Sequence, residues 1–454
     1  MEYGLIGEKL GHSYSKEIHA EIGDYNYELK EIPRDELEFF IKSRDFRGIN
    51  VTIPYKQAVI PLLDYVDPAA LKIGAVNTVV NREGKLYGYN TDFIGLQKLI
   101  LSAKINPKGK KTLILGTGGT SKTAFAAAES LGASPIIFVS RSAESAENKP
   151  SLEKPADSST SAEIVNYEQA AELHSDAALI INTTPCGMYP KTEGCPINLE
   201  PFEKLEGVID VIYNPLRTNL VLQAQKKVSA GGNGLNGGHL SGSHGNRGRR
   251  NAVSAKGGLY MLVQQAVSAS EFFFDKKINP KISERIFKKI QGQKQNIVLI
   301  GMPGSGKTTV GKVLSRVLGK DFLDTDKIIE EKYGNAPSEI IREKGEQAFR
   351  DIESQVCLEL QNKTGAVIAT GGGAILREEN VSALKKNGVL IFLDRKFENI
   401  RPTRDRPLSD SKDKLAEVFK TRYPIYCGAA DIHIRSSENV RRTVDGILRA
   451  LDLQ

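Results

Sequence analysis

The chain has 454 residues, of which 40% are hydrophobic and 26% are charged, and its formal net charge is +7. This length exceeds one ordinary hydrophobic core, so two or three domains are expected. No apolar run approaches the roughly 20 residues that span a bilayer, and the N-terminal segment lacks the pattern of a signal peptide. The modest charge suits anionic small substrates at least as well as nucleic acid, and no recognisable RNA or DNA module accompanies it.

The cysteine pattern predicts the compartment. Four cysteines form no CxxC pair and no obvious set of metal ligands. They are Cys186, Cys195, Cys357 and Cys427. We therefore expect reduced thiols in a cytoplasmic protein that neither crosses a membrane nor binds nucleic acid.

Two glycine-rich loops, each between an apolar strand and a helix, organise the chain. The first lies at Gly116–Gly119 and the second at Gly301–Thr308. Around both loops, β-rich runs alternate with amphipathic helical runs, which predicts α/β domains with parallel sheets. About a hundred residues of a separate α/β unit precede the first loop. The basic stretch 275–294 is predicted to be a linker.

A glycine-rich segment, Ser229–Gly258, contains ten glycines, several basic residues and no acidic residue. Such a composition cannot bury enough apolar surface to offset the entropy of ordering the chain. It predicts a flexible inserted loop. The alternative is an arm that recruits anions or a partner.

The first loop has the composition of a dinucleotide site. Its glycines allow a tight turn and let backbone N–H groups approach a pyrophosphate at a helix N-terminus. They are Gly116, Gly118 and Gly119. The next strand ends in Ser140-Arg141-Ser142, where an NAD site expects an acidic residue. A cation flanked by hydroxyls suits a 2′-phosphate and predicts NADP, although Arg141 could be an ordinary surface residue.

Polar side chains cluster in the segments before this loop. In the alternating strand Gly48–Lys56, Asn50 and Thr52 share a face and Lys56 follows them. Two further segments bracket a predicted hairpin and bring Asn77 and Asp92 to the same region. Taken singly, Lys56 could start a solvated helix and Asp92 could cap one.

In order along the chain, the segments HSxS, NVTxPxK, GAxNT, GxNTD and GxGG, and then 182–188, 210–218 and 258–265, closely resemble shikimate dehydrogenases. The resemblance covers residues 1–274 apart from the insert. It implies a substrate domain built from residues 1–102 and 258–274. It also implies a Rossmann-like NADP domain at 103–257, with the insert at 229–257.

The resemblance further implies roles for individual residues. Lys56 and Asp92 would form the catalytic pair, in which the carboxylate orients and the lysine protonates the carbonyl oxygen. The substrate would be held by Ser13, Ser15, Asn50, Thr52, Asn77, Tyr213 and Gln265. The cofactor would be contacted by the glycine loop, by Ser140, Arg141 and Ser142, and by Met188 and Gly258.

The second loop satisfies the complete P-loop pattern. It consists of Gly301, Met302, Pro303, Gly304, Ser305, Gly306, Lys307 and Thr308, followed by Thr309. Backbone N–H groups cradle phosphates, the lysine reaches the β and γ oxygens, and the Thr308 hydroxyl ligates Mg²⁺. The loop alone leaves the acceptor open among adenylate, gluconate and shikimate kinases.

The segments after the P-loop resemble shikimate kinases over residues 295–452. The segments are Asp324-Thr-Asp326, the helix with Arg350 and Glu353, Thr370–Gly373, Arg406–Leu408 and Arg422–Tyr426. The resemblance implies Asp326 as proton acceptor and Asp324 near Mg²⁺. It places Arg350 and Arg422 on the acceptor carboxylate and Gly372 and Gly373 on the acceptor ring. Arg406 would lie over the transferring phosphate. Either Arg401 or Arg404 would contact the adenine, and the resemblance does not decide between them.

Both halves converge on one metabolite, since the product implied by the first is the substrate implied by the second. We therefore expect a bifunctional enzyme of chorismate and aromatic amino acid biosynthesis, with a kinase domain at 295–454. It would reduce 3-dehydroshikimate with NADPH and phosphorylate shikimate with ATP and Mg²⁺. The alternatives are a quinate/shikimate dehydrogenase with dual cofactor use fused to a small-molecule kinase, and a catalytically silent regulatory fusion. Homo-oligomerisation stays open.

Overall fold

A computed structural model of the chain describes residues 1–11, 13–141, 162–227, 253–400 and 411–453. The chain divides into two compact units, Met1–Ile290 and Gln291–Gln454. Ser142, most of the glycine-rich insert, and the segment with Arg401, Arg404 and Arg406 lie outside the described residues. Within the described ranges, no helix has the length and apolarity needed to cross a membrane.

The first sheet of the N-terminal unit has six strands in the order β2-β1-β3-β5-β6-β4. They are β1 (Tyr3–Gly7), β2 (Tyr27–Glu31), β3 (Gly48–Val51), β4 (Tyr65–Val66), β5 (Thr78–Arg82) and β6 (Lys85–Tyr89). Its helices are α1 (Ser15–Ile22), α2 (Leu37–Ser43), α3 (Pro68–Ile73) and α4 (Thr91–Ser102). The antiparallel pair β5 and β6 confirms the predicted hairpin.

The strand predicted at 48–56 is shorter in the structure, because β3 ends at Val51. Thr52 still donates its backbone N–H to Ile6 at 2.9 Å, but the following residues form a turn. Pro54 has no N–H to donate to a ladder, which accounts for the early end of the strand. Lys56 therefore lies in this turn and not in the strand.

The second sheet of this unit has the order β12-β11-β10-β7-β8-β9, and its strands are parallel. They are β7 (Thr112–Leu115), β8 (Ile136–Val139), β9 (Ala162–Val165), β10 (Leu179–Asn182), β11 (Gly207–Asp210) and β12 (Ser254–Lys256). Its helices are α5 (Gly119–Ser130), α6 (Tyr167–Leu173) and α7 (Asn219–Lys226). The strand order reverses beside β7, which is where an open α/β sheet forms its ligand crevice.

The C-terminal end of the predicted insert is strand rather than loop. Val253 is 3% exposed and donates its N–H to the carbonyl of Lys227 at 3.2 Å. Ser254 continues as β12, paired with β11. Composition hid this strand because only three residues separate Val253 from the paired glycines at 257 and 258.

The segment predicted as a linker is mostly helical. Two helices end the N-terminal unit, α8 (Leu259–Phe274) and α9 (Pro280–Lys294). Ile286 and Ile290 of α9 are buried in one cluster with Val263 and Val267 of α8. Ile282, Ile286 and Ile290 recur at four-residue spacing, so α9 has an apolar stripe that the overall polarity of the segment concealed.

The C-terminal unit has a five-stranded parallel sheet in the order β14-β15-β13-β16-β17. Its strands are β13 (Asn296–Ile300), β14 (Asp321–Asp324), β15 (Ala366–Ala369), β16 (Gly388–Asp394) and β17 (Ile432–Arg435). Its helices are α10 (Lys307–Leu318), α11 (Thr325–Tyr333), α12 (Pro337–Leu360), α13 (Glu378–Asn387), α14 (Lys412–Ala429) and α15 (Val440–Ala450). The C-terminal ends of β13, β14 and β15 meet at one edge, so the P-loop, Asp324 and Thr370 lie there together.

Candidate active sites

Lys56 and Asp92 form an ion pair in a cavity of the N-terminal unit. Lys56 Nζ lies 2.6 Å from Asp92 Oδ2, and the two side chains are 29% and 20% exposed. The cap of α4 is a different residue, since the side chain of Asn90 accepts the N–H of Phe93 at 3.0 Å. Asp92 therefore has no capping role and its carboxylate is available to the lysine.

The cavity around this pair collects polar side chains from six separate segments of the chain. It measures about 230 Å³. All seven residues predicted to hold the substrate line it, namely Ser13, Ser15, Asn50, Thr52, Asn77, Tyr213 and Gln265. Hydroxyl, amide and ammonium groups thus face one small volume, an arrangement suited to a polyhydroxylated anion.

Sequence reasoning missed the support behind Asn50. Tyr27, which is fully buried, donates its hydroxyl to Asn50 Oδ1 at 2.8 Å. His19 stacks on the Tyr27 ring with centroids 3.7 Å apart. Burial lowers the pKa of His19 to about 3, so this imidazole is neutral at physiological pH. These residues come from α1 and β2, and no motif links them to Asn50.

The glycine loop after β7 presents open backbone. A Cβ added at Gly118 or Gly119 would meet no atom within 4 Å, so packing does not require glycine at either position. Gly116 has φ +99°, and a Cβ there would lie 3.0 Å from Thr184. Helix α5 begins at Gly119 without a side-chain cap. The Ser121 N–H donates to the Gly118 carbonyl at 3.1 Å, and the N–H groups of Gly119 and Thr120 before it are placed as in helix starts that bind an anion such as a pyrophosphate.

The remaining predicted cofactor residues lie at several places in the second sheet. Ser140 and the exposed Arg141 follow β8, the strand next to β7. Met188 is 45% exposed, and Gly258 lines the same cavity as Lys56. Thr120, beside the glycine loop, lines that cavity too, so the loop and the catalytic pair border one space.

Asp210, at the end of β11, is a buried acid that the motifs do not explain. It accepts hydrogen bonds from Thr218, from the N–H of Ile212 and from Asn182. Burial nevertheless raises its pKa to about 6. These bonds fix the chain that leads from β11 to Tyr213 in the cavity.

The P-loop of the C-terminal unit requires glycine for its conformation. Gly301, Gly304 and Gly306 have φ values of +149°, +81° and +94°. Lys307 Nζ donates to the carbonyls of Gly301 and Met302 at 2.8 and 3.1 Å. The lysine therefore lies folded over the loop, where an anion held by the loop would meet it.

A hydroxyl and a carboxylate adjoin the P-loop. Thr308 Oγ1 donates to Asp324 Oδ2 at 2.8 Å, and Asp324 Oδ1 accepts the N–H of Asp326 at 3.1 Å. Within the described ranges, no group of three or more His, Cys, Asp or Glu side chains could hold a metal. P-loop Mg²⁺ sites use few protein ligands because phosphates and water supply the others, so the Thr308–Asp324 pair fits such an ion.

A cavity of about 430 Å³ connects the P-loop with the predicted acceptor residues. Its lining includes Gly304, Gly306, Lys307, Thr308, Thr309, Asp324, Asp326, Arg350, Gly372, Gly373 and Arg422. Gly301 and Ser305 belong to the loop but do not line the cavity, and Ser305 is 1% exposed. The structure thus brings together the described residues predicted for this site, apart from these two.

Two arginines at the acceptor end are held by polar partners, of which Glu353 is completely buried. Arg350 pairs with Glu353 at 2.6 Å and with Glu346 at 2.9 Å. Burial raises the pKa of Glu353. Arg422 donates to the carbonyl of Gly372 at 3.2 Å.

Tyr426 is a further residue that sequence reasoning did not assign. It is completely buried and donates its hydroxyl to the Gly372 carbonyl at 2.5 Å. That carbonyl also receives Arg422, so Tyr426 fixes the backbone at the point where the arginine contacts it. Its position four residues after Arg422 on α14 was a signal that could have been used.

The fold and these sites define a two-sheet α/β dehydrogenase followed by a P-loop kinase. Comparisons with known proteins agree. The family model for the shikimate dehydrogenase substrate binding domain matches residues 5–79, and the model for shikimate kinase matches 303–452. The shikimate dehydrogenase (NADP(+)) of Clostridium perfringens is 34% identical over 297 residues, covering 64% of this chain and 98% of that protein.

Solved structures give the same result for the N-terminal half. A chorismate mutase/shikimate 5-dehydrogenase fusion protein from Clostridium acetobutylicum is 32% identical, with a TM-score of 0.54 over 64% of this chain and 96% of that one. The Thermus thermophilus shikimate 5-dehydrogenase, in complex with NADP(H) and shikimate, is 27% identical, with a TM-score of 0.51 over 64% and 99%. The chain belongs to the shikimate dehydrogenase family and carries a shikimate kinase domain, which makes it a bifunctional shikimate-pathway enzyme.

Proposed function

We propose that the N-terminal unit reduces 3-dehydroshikimate to shikimate with NADPH and that the C-terminal unit phosphorylates shikimate with ATP and Mg²⁺. The observation that carries the proposal is the Lys56–Asp92 pair, 2.6 Å apart in a cavity of polar side chains. The P-loop cavity with its two acceptor arginines supports the second reaction. A reducing cytoplasm belongs to the proposal because all four cysteines are free thiols.

In the dehydrogenase reaction, NADPH supplies the hydride. Asp92 orients the Lys56 ammonium by its short ion pair, and Lys56 donates a proton to the carbonyl oxygen of the substrate. Ser13 and Ser15, whose hydroxyls lie 3.0 Å apart, hold the substrate carboxylate. Asn50, Thr52, Asn77, Tyr213 and Gln265 orient the ring hydroxyls. The partly buried cavity limits water around the reacting carbon.

NADP is the proposed cofactor because the chain offers it a suitable set of groups. The glycine loop and the N-terminus of α5 would hold the pyrophosphate. Arg141, with Ser140 and Ser142, would hold the 2′-phosphate that distinguishes NADP from NAD. Met188 and Gly258 would border the nicotinamide. We assign the substrate domain to 1–102 with 258–274 and the NADP domain to the second sheet.

In the kinase reaction, ATP supplies the phosphoryl group. Thr308 and Asp324 would hold Mg²⁺, which would neutralise phosphate charge. Asp326 accepts the proton of the attacking hydroxyl. Lys307 and the backbone N–H groups of the P-loop orient the phosphate chain. Arg350 and Arg422 bind the shikimate carboxylate, and Gly372 and Gly373 allow the ring to lie against the backbone. A Cβ at Gly373 would approach the Arg350 guanidinium to 2.0 Å, so a larger residue would displace this arginine.

A coupled assay of the full chain tests the proposal. Purified protein is given 3-dehydroshikimate, NADPH, ATP and Mg²⁺, and the expected product is shikimate 3-phosphate, with shikimate accumulating when ATP is left out. Parallel rates with NADH and with quinate plus NAD⁺ examine cofactor and substrate choice. Equal efficiency with either cofactor, or faster turnover of quinate, would replace the proposal with a dual-specificity dehydrogenase. No turnover in either half would leave a silent regulatory fusion.

A further inference from the structure

The P-loop cavity contains a cationic side chain that none of the motifs includes. Arg395 lines it together with Pro303 and Gly304 of the P-loop. This arginine directly follows β16 and is partly buried. The adjacent Lys396 is exposed and does not line the cavity. Of two consecutive basic residues, one therefore faces the site.

The register of the sheet places Arg395 beside the P-loop. Ile300, the last residue of β13, pairs with Phe392 in the neighbouring parallel strand β16. One residue further on, a Cβ added at Gly301 would lie 3.0 Å from the carbonyl of Leu393. Continuing this register by two residues brings Arg395 level with the first turn of the P-loop.

The backbone before Arg395 is held on both sides. The Asp394 carbonyl accepts the N–H of Ser436, which follows β17, at 2.8 Å. The Asp394 carboxylate accepts the hydroxyl of Tyr423 on α14 at 3.2 Å. Because Asp394 is anchored on both sides, the backbone from which the Arg395 side chain extends is held in place.

The cations of the cavity divide between its two ends. Arg350 is bound to Glu353 and Glu346, and Arg422 is bound to the Gly372 carbonyl, at the acceptor end. At the P-loop end, Arg395 makes no ion pair or hydrogen bond with any residue that the structure describes. A guanidinium that the described groups leave unneutralised beside a phosphate loop is suited to a phosphate ligand.

We propose that Arg395 binds the phosphoryl group while it passes from the nucleotide to the acceptor, an inference that rests on the proposed kinase reaction. Negative charge spreads over the equatorial oxygens of the transferring group, and a fixed cation beside them stabilises that state most. Lys307 approaches the same group from the loop, and Arg395 approaches it from the end of β16. The planar guanidinium can bind two oxygens at once.

The test compares Arg395→Ala and Arg395→Lys with the neighbouring Lys396→Ala in the full-length chain. We expect kcat of the kinase to fall about 100-fold in Arg395→Ala, while KM for shikimate changes less than about threefold. Arg395→Lys should recover part of the rate because it keeps the charge and loses the bidentate geometry. Lys396→Ala should match the wild type, and dehydrogenase turnover in each variant reports that the chain is folded.

Calorimetric binding gives a second readout. Arg395→Ala should weaken binding of ADP with aluminium fluoride and shikimate, which imitates the transferring group, and should bind ADP alone within a few fold of the wild type. Equal kinase kinetics in Arg395→Ala and Lys396→Ala would overturn the role of Arg395 while the kinase assignment stands. A loss of shikimate affinity as large as the loss of kcat would overturn it as well, since Arg395 would then be an acceptor ligand. A wild-type chain that forms no shikimate 3-phosphate would overturn both inferences.

Discussion

Lys56 and Asp92 are 36 residues apart in the sequence, and the structure brings them to 2.6 Å. Neighbouring residues perform the ordinary structural tasks around them. Asn90 caps α4, and Asp64, not Asp92, accepts the backbone N–H of Leu86. Neither helix capping nor the backbone hydrogen bond therefore explains why Lys56 and Asp92 are placed together, and we expect the pair to act in the reaction.

Lys56→Ala should abolish dehydrogenase turnover and leave kinase turnover within about twofold of the wild type. The physical reason is that the only proposed proton donor is removed, while the kinase cavity lies in the other compact unit. NADPH oxidation and ADP formation are measured separately on the same preparation. The control is Lys42→Ala, whose side chain is 65% exposed and pairs with Glu38 at the surface.

The pair also predicts a non-additive result. Because Asp92 acts through Lys56, any residual dehydrogenase turnover of Lys56→Ala should not fall further in Lys56→Ala/Asp92→Asn. Near-normal NADPH oxidation in Lys56→Ala would show that another group delivers the proton.

Asp210 predicts a pH dependence of stability. Its folded pKa is about 6 against an ordinary value of 3.8, because burial disfavours the carboxylate. The stabilisation from the protonated form is complete below pH 3.8 and is lost as the pH rises through 6. The two pKa values differ by an amount that corresponds to about 3 kcal/mol in the free energy of unfolding.

Asp210→Asn should remove this pH-dependent contribution to the free energy of unfolding. We expect the difference between variant and wild-type free energies of unfolding to change by up to about 3 kcal/mol between pH 4 and pH 7, in favour of the variant at high pH. Urea denaturation at several pH values measures it. Asp45→Asn, at an exposed position, serves as control and should run parallel to the wild type. A constant difference for Asp210→Asn would mean that the Thr218 and Asn182 bonds offset the burial.

At the scale of elements, the two ends of the glycine-rich insert meet. The Val253 N–H donates to the Lys227 carbonyl at 3.2 Å. A short Gly-Ser turn in place of 228–252 should therefore keep turnover of both reactions within a few fold. Steady-state rates and thermal denaturation of the shortened chain measure the outcome.

A longer deletion through Lys256 is the informative comparison. It removes β12 and the buried Val253, so we expect a loss of more than about 2 kcal/mol in the free energy of unfolding. Reduced dehydrogenase turnover in the shorter deletion, with an unchanged melting temperature, would show instead that the insert contributes to the site.

The elements show how far sequence patterns reach. Strands β7 and β13 were predicted from apolar runs beside glycine loops, and β5 and β6 from turn residues. In contrast, α9 was hidden by its polar composition, and β12 by the glycines around it. The site residues on ordered motifs were found, whereas Tyr27, Asp210 and Tyr426 were not assigned. Tyr27 contacts Asn50, 23 residues away, and no motif links the two. Asp210 and Tyr426 lie inside the segments 210–218 and 422–426, but the sequence does not show that their side chains are buried and hydrogen-bonded there.

At the scale of the whole molecule, each compact unit has its own hydrophobic clusters and its own cavity. The helix α9 crosses the boundary at Ile290, which is completely buried among residues of the N-terminal unit. A cut should therefore follow Ile290. Residues 292, 293 and 295 belong with the kinase, because their carbonyls accept hydrogen bonds from Lys320 Nζ.

Separate expression of 1–290 and 291–454 should give an NADPH-dependent dehydrogenase and an ATP-dependent kinase. Each fragment should keep its kcat/KM within a few fold, since all the proposed residues of each site lie in one fragment. A matched cut after residue 279 deprives the first fragment of α9 and exposes Val263 and Val267, so that fragment should melt at a lower temperature. If 1–290 regained activity only on addition of 291–454, an obligate association of the two units would replace their independence.

The hydrogen bond between Lys227 and Val253 also bears on how far the length of the segment between them can vary. Chain that leaves and re-enters a fold at one point costs only about 0.6 kcal/mol more for each doubling of its length. A change in the number of residues between 227 and 253 should therefore cost little stability, and we expect relatives of this chain to vary in length at this point. The same point is suited to the insertion of a second domain by protein engineering. A reporter domain whose N- and C-termini are adjacent could be inserted between 227 and 253. It would report on the folding of the dehydrogenase half without interrupting a strand of its sheets.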